Sequence, residues 1–240
     1  MCGLWKNLLR ILRKIHKILS TRNYKQRFLN RERESRMDRQ DILKSDLLSL
    51  APKEFYLKHI VKSYNWYFSD YLKVPQNEIV DRMDYFKEIV SSYFGVSFHS
   101  LQIVGSAKTG YSLSPQKVLR PFHDEIPGEP SSDIDIAVIS EKLFLGFWDK
   151  LRKVKGIWYN KRYYNHLTES IFRGYINEKD VLRIEGICED WMALIDPVNM
   201  ALQDKLGFIH PITYRLYRNW DDLEEYQIAG ISKAQKALEG

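Results

Sequence analysis

The sequence predicts an α+β fold, in which a small mixed sheet is packed by helices and preceded by a helical extension at the N-terminus. Apolar residues recur at helical spacing in several long segments, and three short apolar runs have the length and composition of strands. Residues 156–200 show mixed patterns that favour no assignment. The predicted helices cover residues 38–50, 54–72, 77–94, 141–154 and 221–238, and the predicted strands cover residues 98–104, 134–139 and 212–218.

Composition places the chain among globular proteins that can bury a core. The chain has 240 residues, of which 44% are hydrophobic and 28% are charged, so one domain with extensions or two small domains are expected. The only cysteines are Cys2 and Cys188, which indicates no disulfide framework and fits a reducing cytoplasm. No stretch reaches the roughly 18 apolar residues that a membrane-spanning helix needs.

Residues 1–31 carry nine basic residues and no acidic one, within a chain of net charge +6. This segment predicts a basic amphipathic helix that contacts an anionic membrane surface or nucleic acid. Packing against the body of the protein, or poor order, is an equally weighted alternative. Because Met37 precedes a clean helical start, the extension is either an upstream-start artefact or a removable appendage. The apolar residues at helical spacing are Leu4, Leu8, Ile11, Ile15 and Ile18.

The strongest local pattern lies where two predicted strands meet a glycine turn. Gly105 and Ser106 follow one apolar run, and Asp133 and Asp135 open the next. Alternate residues of a strand point to the same face, so the two carboxylates share one face while the isoleucines between and after them point into a core. Two carboxylates beside a glycine turn can hold divalent cations next to a phosphate.

The residues around this turn suit phosphate binding. Gly105 lets the backbone approach a phosphate without a side-chain clash, and Ser106 can donate both its hydroxyl and its N–H. Lys108 is close enough in sequence to reach the same phosphate. The following segment, residues 107–132, is an irregular insertion, and loops of this length usually have a function or move. Its Arg120 would cap a triphosphate if the insertion folded over the site.

The order of helix, strand, Gly-Ser turn and a strand beginning Asp-x-Asp resembles the nucleotidyltransferase superfamily of polymerase beta, over about residues 78–155. The resemblance implies that Gly105 and Ser106 bind the triphosphate of a nucleotide and that Asp133 and Asp135 are catalytic metal ligands. The implied cofactor is Mg²⁺ or Mn²⁺, which agrees with the absence of a His/Cys cluster. The expected domains are a basic leader (residues 1–36), a helical segment that packs on the core (37–76) and a nucleotidyltransferase domain with a C-terminal helix (77–240).

The activity implied by the resemblance moves a nucleoside monophosphate from ATP or another (d)NTP to a hydroxyl group and releases pyrophosphate. The acceptor stays open among the 3′ end of a nucleic acid or oligonucleotide, a nucleotide and a protein hydroxyl. The motifs look like those of small bacterial nucleotidyltransferases associated with defence loci, which makes anti-phage defence an expected setting. The alternatives are protein nucleotidylation (AMPylation) by a toxin- or antitoxin-type enzyme, and a nucleotide- or nucleic-acid-binding module without turnover.

The chain departs from the family pattern in two ways. The segment between Ser106 and Asp133 is longer than is common in the family. The family also takes a third carboxylate from a later strand, and the predicted strand 212–218 contains no acidic residue. This missing carboxylate supports a binding module, whereas the two strand aspartates argue against one. Nearby acidic alternatives, none of them in a clear strand pattern, are Asp180, Glu185 and Asp221.

Overall fold

The computed structural model of the chain describes most of the sequence that follows the basic leader. The leader predicted over residues 1–36, with its predicted contact segment 1–31, lies outside the described residues. Among the helices that are described, none is long and apolar enough to cross a membrane. The described residues are 39–62, 64–154 and 161–239, without the side chains of residues 161–163.

The chain divides into two compact units, Met1–Asp46 and Leu47–Gly240. Of the first unit, only residues 39–46 are described, and they belong to helix α1 (39–49). The second unit contains all of the strands described below and all of the sequence-predicted site residues.

Four strands form one mixed sheet in the second unit. β1 (Leu101–Val104) pairs antiparallel with β2 (Ile134–Ile139), and β2 pairs in parallel with β4 (Ile212–Tyr217). A short edge strand, β3 (Tyr175–Asn177), pairs antiparallel with β4, so the strand order is β1-β2-β4-β3. The predicted α+β class with a small mixed sheet is confirmed, and β2 has the predicted bounds.

Helices surround this sheet, and several match the periodicity of the sequence. The helices predicted near α3, α5 and α9 are present. Residues 156–200, which the sequence left unassigned, contain α6, α7 and most of α8 as well as the edge strand. The helix bounds are α2 Pro52–Phe55, α3 Ile79–Phe94, α4 Gly105–Thr109, α5 Glu141–Lys153, α6 Lys161–Phe172, α7 Glu178–Val181, α8 Cys188–Leu206 and α9 Trp220–Glu239.

The continuous helix predicted over residues 54–72 is wrong. After α2 the chain forms two short π-helical segments, Tyr56–Val61 and Tyr67–Tyr71, with a non-helical stretch between them. A single α-helix would spread this aromatic-rich stretch around its whole circumference, whereas two separate segments each direct aromatic rings inward. Tyr67 and Phe68 are fully buried in the main core, so these aromatic residues contribute to core packing.

The two faces of the sheet have different chemistry because side chains alternate along each strand. Ile134, Ile136 and Val138 of β2 are buried on one face, which packs against residues of α3, α5 and α8. The opposite face carries Asp135 of β2 and Arg215 of β4, and α9 lies on this side. The core therefore stabilises the sheet from one side and leaves the other side for polar groups.

Glu178, the first residue of α7, connects three elements in the interior. Its Oε2 accepts hydrogen bonds from Nε1 of Trp191 in α8, at 3.1 Å, and from the backbone N–H of Tyr214 in β4, at 3.0 Å. Burial raises the pKa of Glu178, while the hydrogen bonds from Trp191 and Tyr214 lower it. This carboxylate satisfies two donors that would otherwise be buried without a partner.

We expect Glu178→Ala to destabilise the protein because it leaves both donors unpaired, at a cost of about 1–3 kcal/mol for each. The free energy of unfolding, measured by urea denaturation, reports the loss. Glu178→Gln keeps an acceptor oxygen in the same place and should lose clearly less. Equal losses in the two variants would contradict the assigned hydrogen bonds.

Candidate active site

Gly105 and Asp135 approach each other closely at the junction of β1 and α4. The antiparallel register places Val104 opposite Asp135, so the turn that follows Val104 lies against the aspartate. Gly105 has φ +65°, and a Cβ built on it would lie 2.6 Å from Oδ2 of Asp135. Only glycine combines this left-handed conformation with this contact, which explains the residue that the sequence pattern singled out.

Thr213 fixes the Asp135 carboxylate from the other side. The parallel register pairs Thr213 with Asp135, and the Thr213 hydroxyl donates to Oδ1 of Asp135 at 3.0 Å. Burial raises the pKa of Asp135 and the neighbouring Asp133 raises it further, whereas Arg215 and the Thr213 hydrogen bond lower it. A cation bound between the two carboxylates would relieve their repulsion.

Asp133 lies just before β2 and lines the same cavity as Gly105 and Asp135. Its Oδ2 is 3.7 Å from Nζ of Lys179, in the first turn of α7. The side chain of Lys179 is largely exposed, so this ion pair holds Asp133 only weakly. Asp133 therefore stays available to a bound cation.

A cavity of about 740 Å³ opens beside these carboxylates. Its volume lies within the roughly 300–1,000 Å³ range that is typical of ligand pockets. The start of α4, residues 112–117, the end of α6, β3, β4 and α9 form its walls. The predicted irregular insertion thus supplies one wall. Four basic and three acidic residues line the cavity: Lys117, Arg173, Arg215 and Lys233, and Asp133, Asp135 and Glu225.

Four of the five sequence-predicted site residues line this cavity, namely Gly105, Ser106, Asp133 and Asp135. The structure does not bring Lys108 there. Its side chain is buried, and its Nζ donates to the backbone carbonyl of Lys62 at 2.7 Å. Burial, together with the charge of Lys87, lowers the pKa of Lys108 to about 8. Lys108 therefore anchors α4 to the end of the first π-helical segment, Tyr56–Val61.

The insertion does not place Arg120 or His123 in the lining of the cavity. Arg120 pairs with Glu129 inside the insertion itself, and Nδ1 of His123 contacts the carbonyl of Asp124 at 2.8 Å. The part of the insertion that reaches the cavity is Ser112 to Lys117.

Besides Asp133 and Asp135, the described lining of the cavity contains one acidic residue, Glu225 on α9. Thr213 occupies the position next to Asp135 on the parallel strand. Of the alternatives from the sequence, Asp180 is buried and lies 3.1 Å from Nδ1 of His166. Within residues 39–62, 64–154 and 161–239, no group of three His, Cys, Asp or Glu side chains could hold a metal ion.

The candidate cation ligands beside the cavity are the oxygen atoms of the Asp133 and Asp135 carboxylates and of the Thr213 hydroxyl, which donates to Asp135. Mg²⁺ is commonly bound by one or two carboxylates, with phosphate oxygens and water as its other ligands. The residues present therefore fit a divalent cation that arrives with a phosphate, and they do not form a complete cage of protein ligands.

Sequence reasoning missed the aromatic residues that complete the cavity. Tyr175 lies on the short edge strand and Phe172 at the end of α6, both in the region without a clear pattern. Tyr226 lies on α9, and only the tertiary structure brings it to the cavity. The two arginines of the predicted strand 212–218 have different surroundings. Arg218 donates two hydrogen bonds of 2.9 and 2.8 Å to Asp222, while Arg215 lines the cavity.

The comparisons add no relative to this description. No family model, no curated protein and no solved structure matches the chain. A proposal on function therefore depends on the residues of the cavity themselves.

We expect Gly105→Ala to lose more free energy of unfolding than Gly128→Ala. Both glycines have positive φ, so both variants incur the left-handed penalty of about 1–2 kcal/mol. An added Cβ meets nothing within 4 Å at Gly128 but meets the Asp135 carboxylate at Gly105. Urea denaturation measures both losses, and equal losses would show that the contact with Asp135 is unimportant.

Proposed function

We propose that the protein is a metal-dependent nucleotidyltransferase with a polymerase beta-like fold. It would move a nucleoside monophosphate from ATP or another (d)NTP to a hydroxyl acceptor. The observation that carries this proposal is that Gly105 and Ser106 line the same cavity as Asp133 and Asp135. A phosphate-binding turn beside two carboxylates is the combination that a triphosphate and its cation require.

Asp133 and Asp135 would hold Mg²⁺ or Mn²⁺ in this reaction. When bound, the cation neutralises charge on the phosphates and polarises the phosphorus that is attacked. Thr213 orients the Asp135 carboxylate through its hydrogen bond. The close approach of Gly105 keeps that carboxylate within reach of a phosphate bound at the turn.

Other residues of the chain would bind the rest of the nucleotide. The hydroxyl and N–H of Ser106 are the donors for a phosphate oxygen. Lys117 and Lys233 reach the cavity from the insertion and from α9, and their charges would stabilise the negative charge of the triphosphate and of the pyrophosphate that leaves.

Phe172 is the feature of the cavity that favours a nucleotide over a simple polyphosphate. Its side chain is 90% exposed, although it lines the cavity. An aromatic ring left in water at the mouth of a site offers a stacking surface for a nucleobase, and such stacking tolerates any base. This arrangement agrees with ATP or another (d)NTP and does not select among them.

A second candidate function is nucleotide binding without turnover. Thr213 favours it, because a hydroxyl stands beside Asp135 where the resemblance calls for a carboxylate that would deprotonate the attacking group. The two candidates share the same ligand and differ in pyrophosphate release. Within the first candidate function, a protein hydroxyl is an alternative acceptor, and the reaction would then be protein nucleotidylation.

We expect Asp133→Ala combined with Asp135→Ala to abolish nucleotidyl transfer. Purified protein would be incubated with labelled ATP, GTP and each dNTP, with Mg²⁺ or Mn²⁺, and pyrophosphate release measured. Label in protein would indicate nucleotidylation, and a ladder would indicate polymerisation. Asp196→Ala combined with Asp204→Ala changes the charge equally at two exposed positions of α8 and should keep full activity.

Full activity in the Asp133/Asp135 double variant would refute the site. If the wild-type protein releases no pyrophosphate with any nucleotide but still binds one, the second candidate function is correct.

We expect Phe172→Ala to weaken ATP binding, because one base–aromatic stack contributes about 1–3 kcal/mol. Binding of inorganic tripolyphosphate, which has no base, should not change. Isothermal titration calorimetry measures both affinities, and Met200→Ala, which truncates another exposed apolar residue, serves as the control. Unchanged ATP affinity in Phe172→Ala would exclude this ring as the base platform.

A further inference from the structure

The wall of the cavity that β4 provides contains the guanidinium of Arg215. Arg215 forms no ion pair with any other described residue, although the Tyr217 hydroxyl lies near its guanidinium. Its Nε is buried and has no acceptor, and the buried hydroxyl of Tyr217 beside it is likewise unpaired within the described part of the chain. A charged group that is withdrawn from water without full hydrogen bonding is costly, which favours an anionic ligand at this position.

Aromatic rings hold this guanidinium in place. Its Cζ lies 4.5 Å from the ring centroid of Tyr226 and 5.7 Å from that of Tyr175. The two rings contact each other edge to face, with centroids 4.9 Å apart. Cation–π contacts of this kind stabilise the charge and fix the plane of the guanidinium, but they accept none of its N–H groups.

The surroundings of Arg215 favour an oxyanion. Its side chain is on the same face of the sheet as Asp135, and it lines the same cavity as the Gly-Ser turn. The cavity has one more basic than acidic residue among its lining side chains. The planar fork of a guanidinium matches the spacing of two phosphate oxygens and binds them with two parallel hydrogen bonds.

We propose that Arg215 is the oxyanion-binding residue of the cavity and takes one phosphate group between its N–H donors. The inference rests on the proposed function for the carrier of that phosphate, which is either the triphosphate of the nucleotide or a phosphate of the acceptor. The rigid platform of Tyr175 and Tyr226 prepares the guanidinium for this contact, so that binding requires little reorganisation.

The test measures binding of inorganic tripolyphosphate by calorimetry, in EDTA so that no divalent cation contributes. The protein carries Asp133→Asn and Asp135→Asn. These substitutions remove the two negative charges that repel the anion, and they also prevent nucleotidyl transfer. In this background we expect Arg215→Gln to weaken binding at least tenfold. Arg215→Lys keeps the charge but loses the planar guanidinium, so its tripolyphosphate affinity should lie between those of the parent and Arg215→Gln. Arg152→Gln, a matched loss of an exposed arginine on α5, should have no effect.

Because Arg215→Gln can disturb the packing of the tyrosines, circular dichroism must show that it is folded. If Arg215→Gln is not folded, the test uses Arg215→Lys and Tyr226→Leu instead. Both variants keep a positive charge at position 215, and both should weaken tripolyphosphate binding. The inference is overturned if folded variants bind tripolyphosphate as tightly as their parent, or if the parent does not bind it.

Competition identifies the source of the phosphate. If saturating orthophosphate displaces ATP from the wild-type protein, Arg215 binds the triphosphate of the nucleotide. If orthophosphate and ATP bind together, and Arg215→Lys weakens only orthophosphate, the site belongs to a phosphorylated acceptor. Either result supports the oxyanion site. Absence of pyrophosphate release would refute the transferase but would leave the binding measurements unaffected, so the two ideas fail separately.

Discussion

The position of the Asp135 carboxylate is the constraint on which the rest of the cavity depends. β2 is an inner strand, antiparallel to β1 and parallel to β4, so Asp135 has a partner on each side. Gly105 approaches it from the β1 side without a Cβ, and the Thr213 hydroxyl donates to it from the β4 side. Moving either neighbour would shift the carboxylate away from the turn at Gly105 and Ser106.

The sheet separates stability from chemistry. One face buries isoleucine and valine side chains against three helices, and Glu178 joins that core to β4 through two buried donors. The other face carries Asp135 and Arg215, whose partial burial opposes folding. A protein tolerates such groups where a ligand satisfies them, and both open into one cavity.

The chemistry of this cavity differs from the pattern that the sequence resembles. β4 contains no acidic residue: Thr213 places a hydroxyl beside Asp135, and Arg215 adds a half-buried positive charge two residues further along the same strand. Under the proposed function, a hydroxyl in place of a third acid, together with a guanidinium, would favour anion binding over cation binding. Tight retention of a phosphate and slow turnover are the consequences that we expect if the protein is a transferase.

The sequence by itself determined the features that depend on local geometry. Strand alternation placed Asp133 and Asp135 on one face, and the bounds of β2 followed from its apolar run. Lys108 shows the limit of this reasoning, because proximity in sequence to the turn did not reveal that α4 directs its side chain to the carbonyl of Lys62. The tertiary structure alone decided the contact of Thr213 with Asp135 and the enclosure of Arg215 by Tyr175 and Tyr226. These contacts join segments far apart in the chain through a parallel register and a three-residue edge strand, and neither leaves a periodic signal in the sequence.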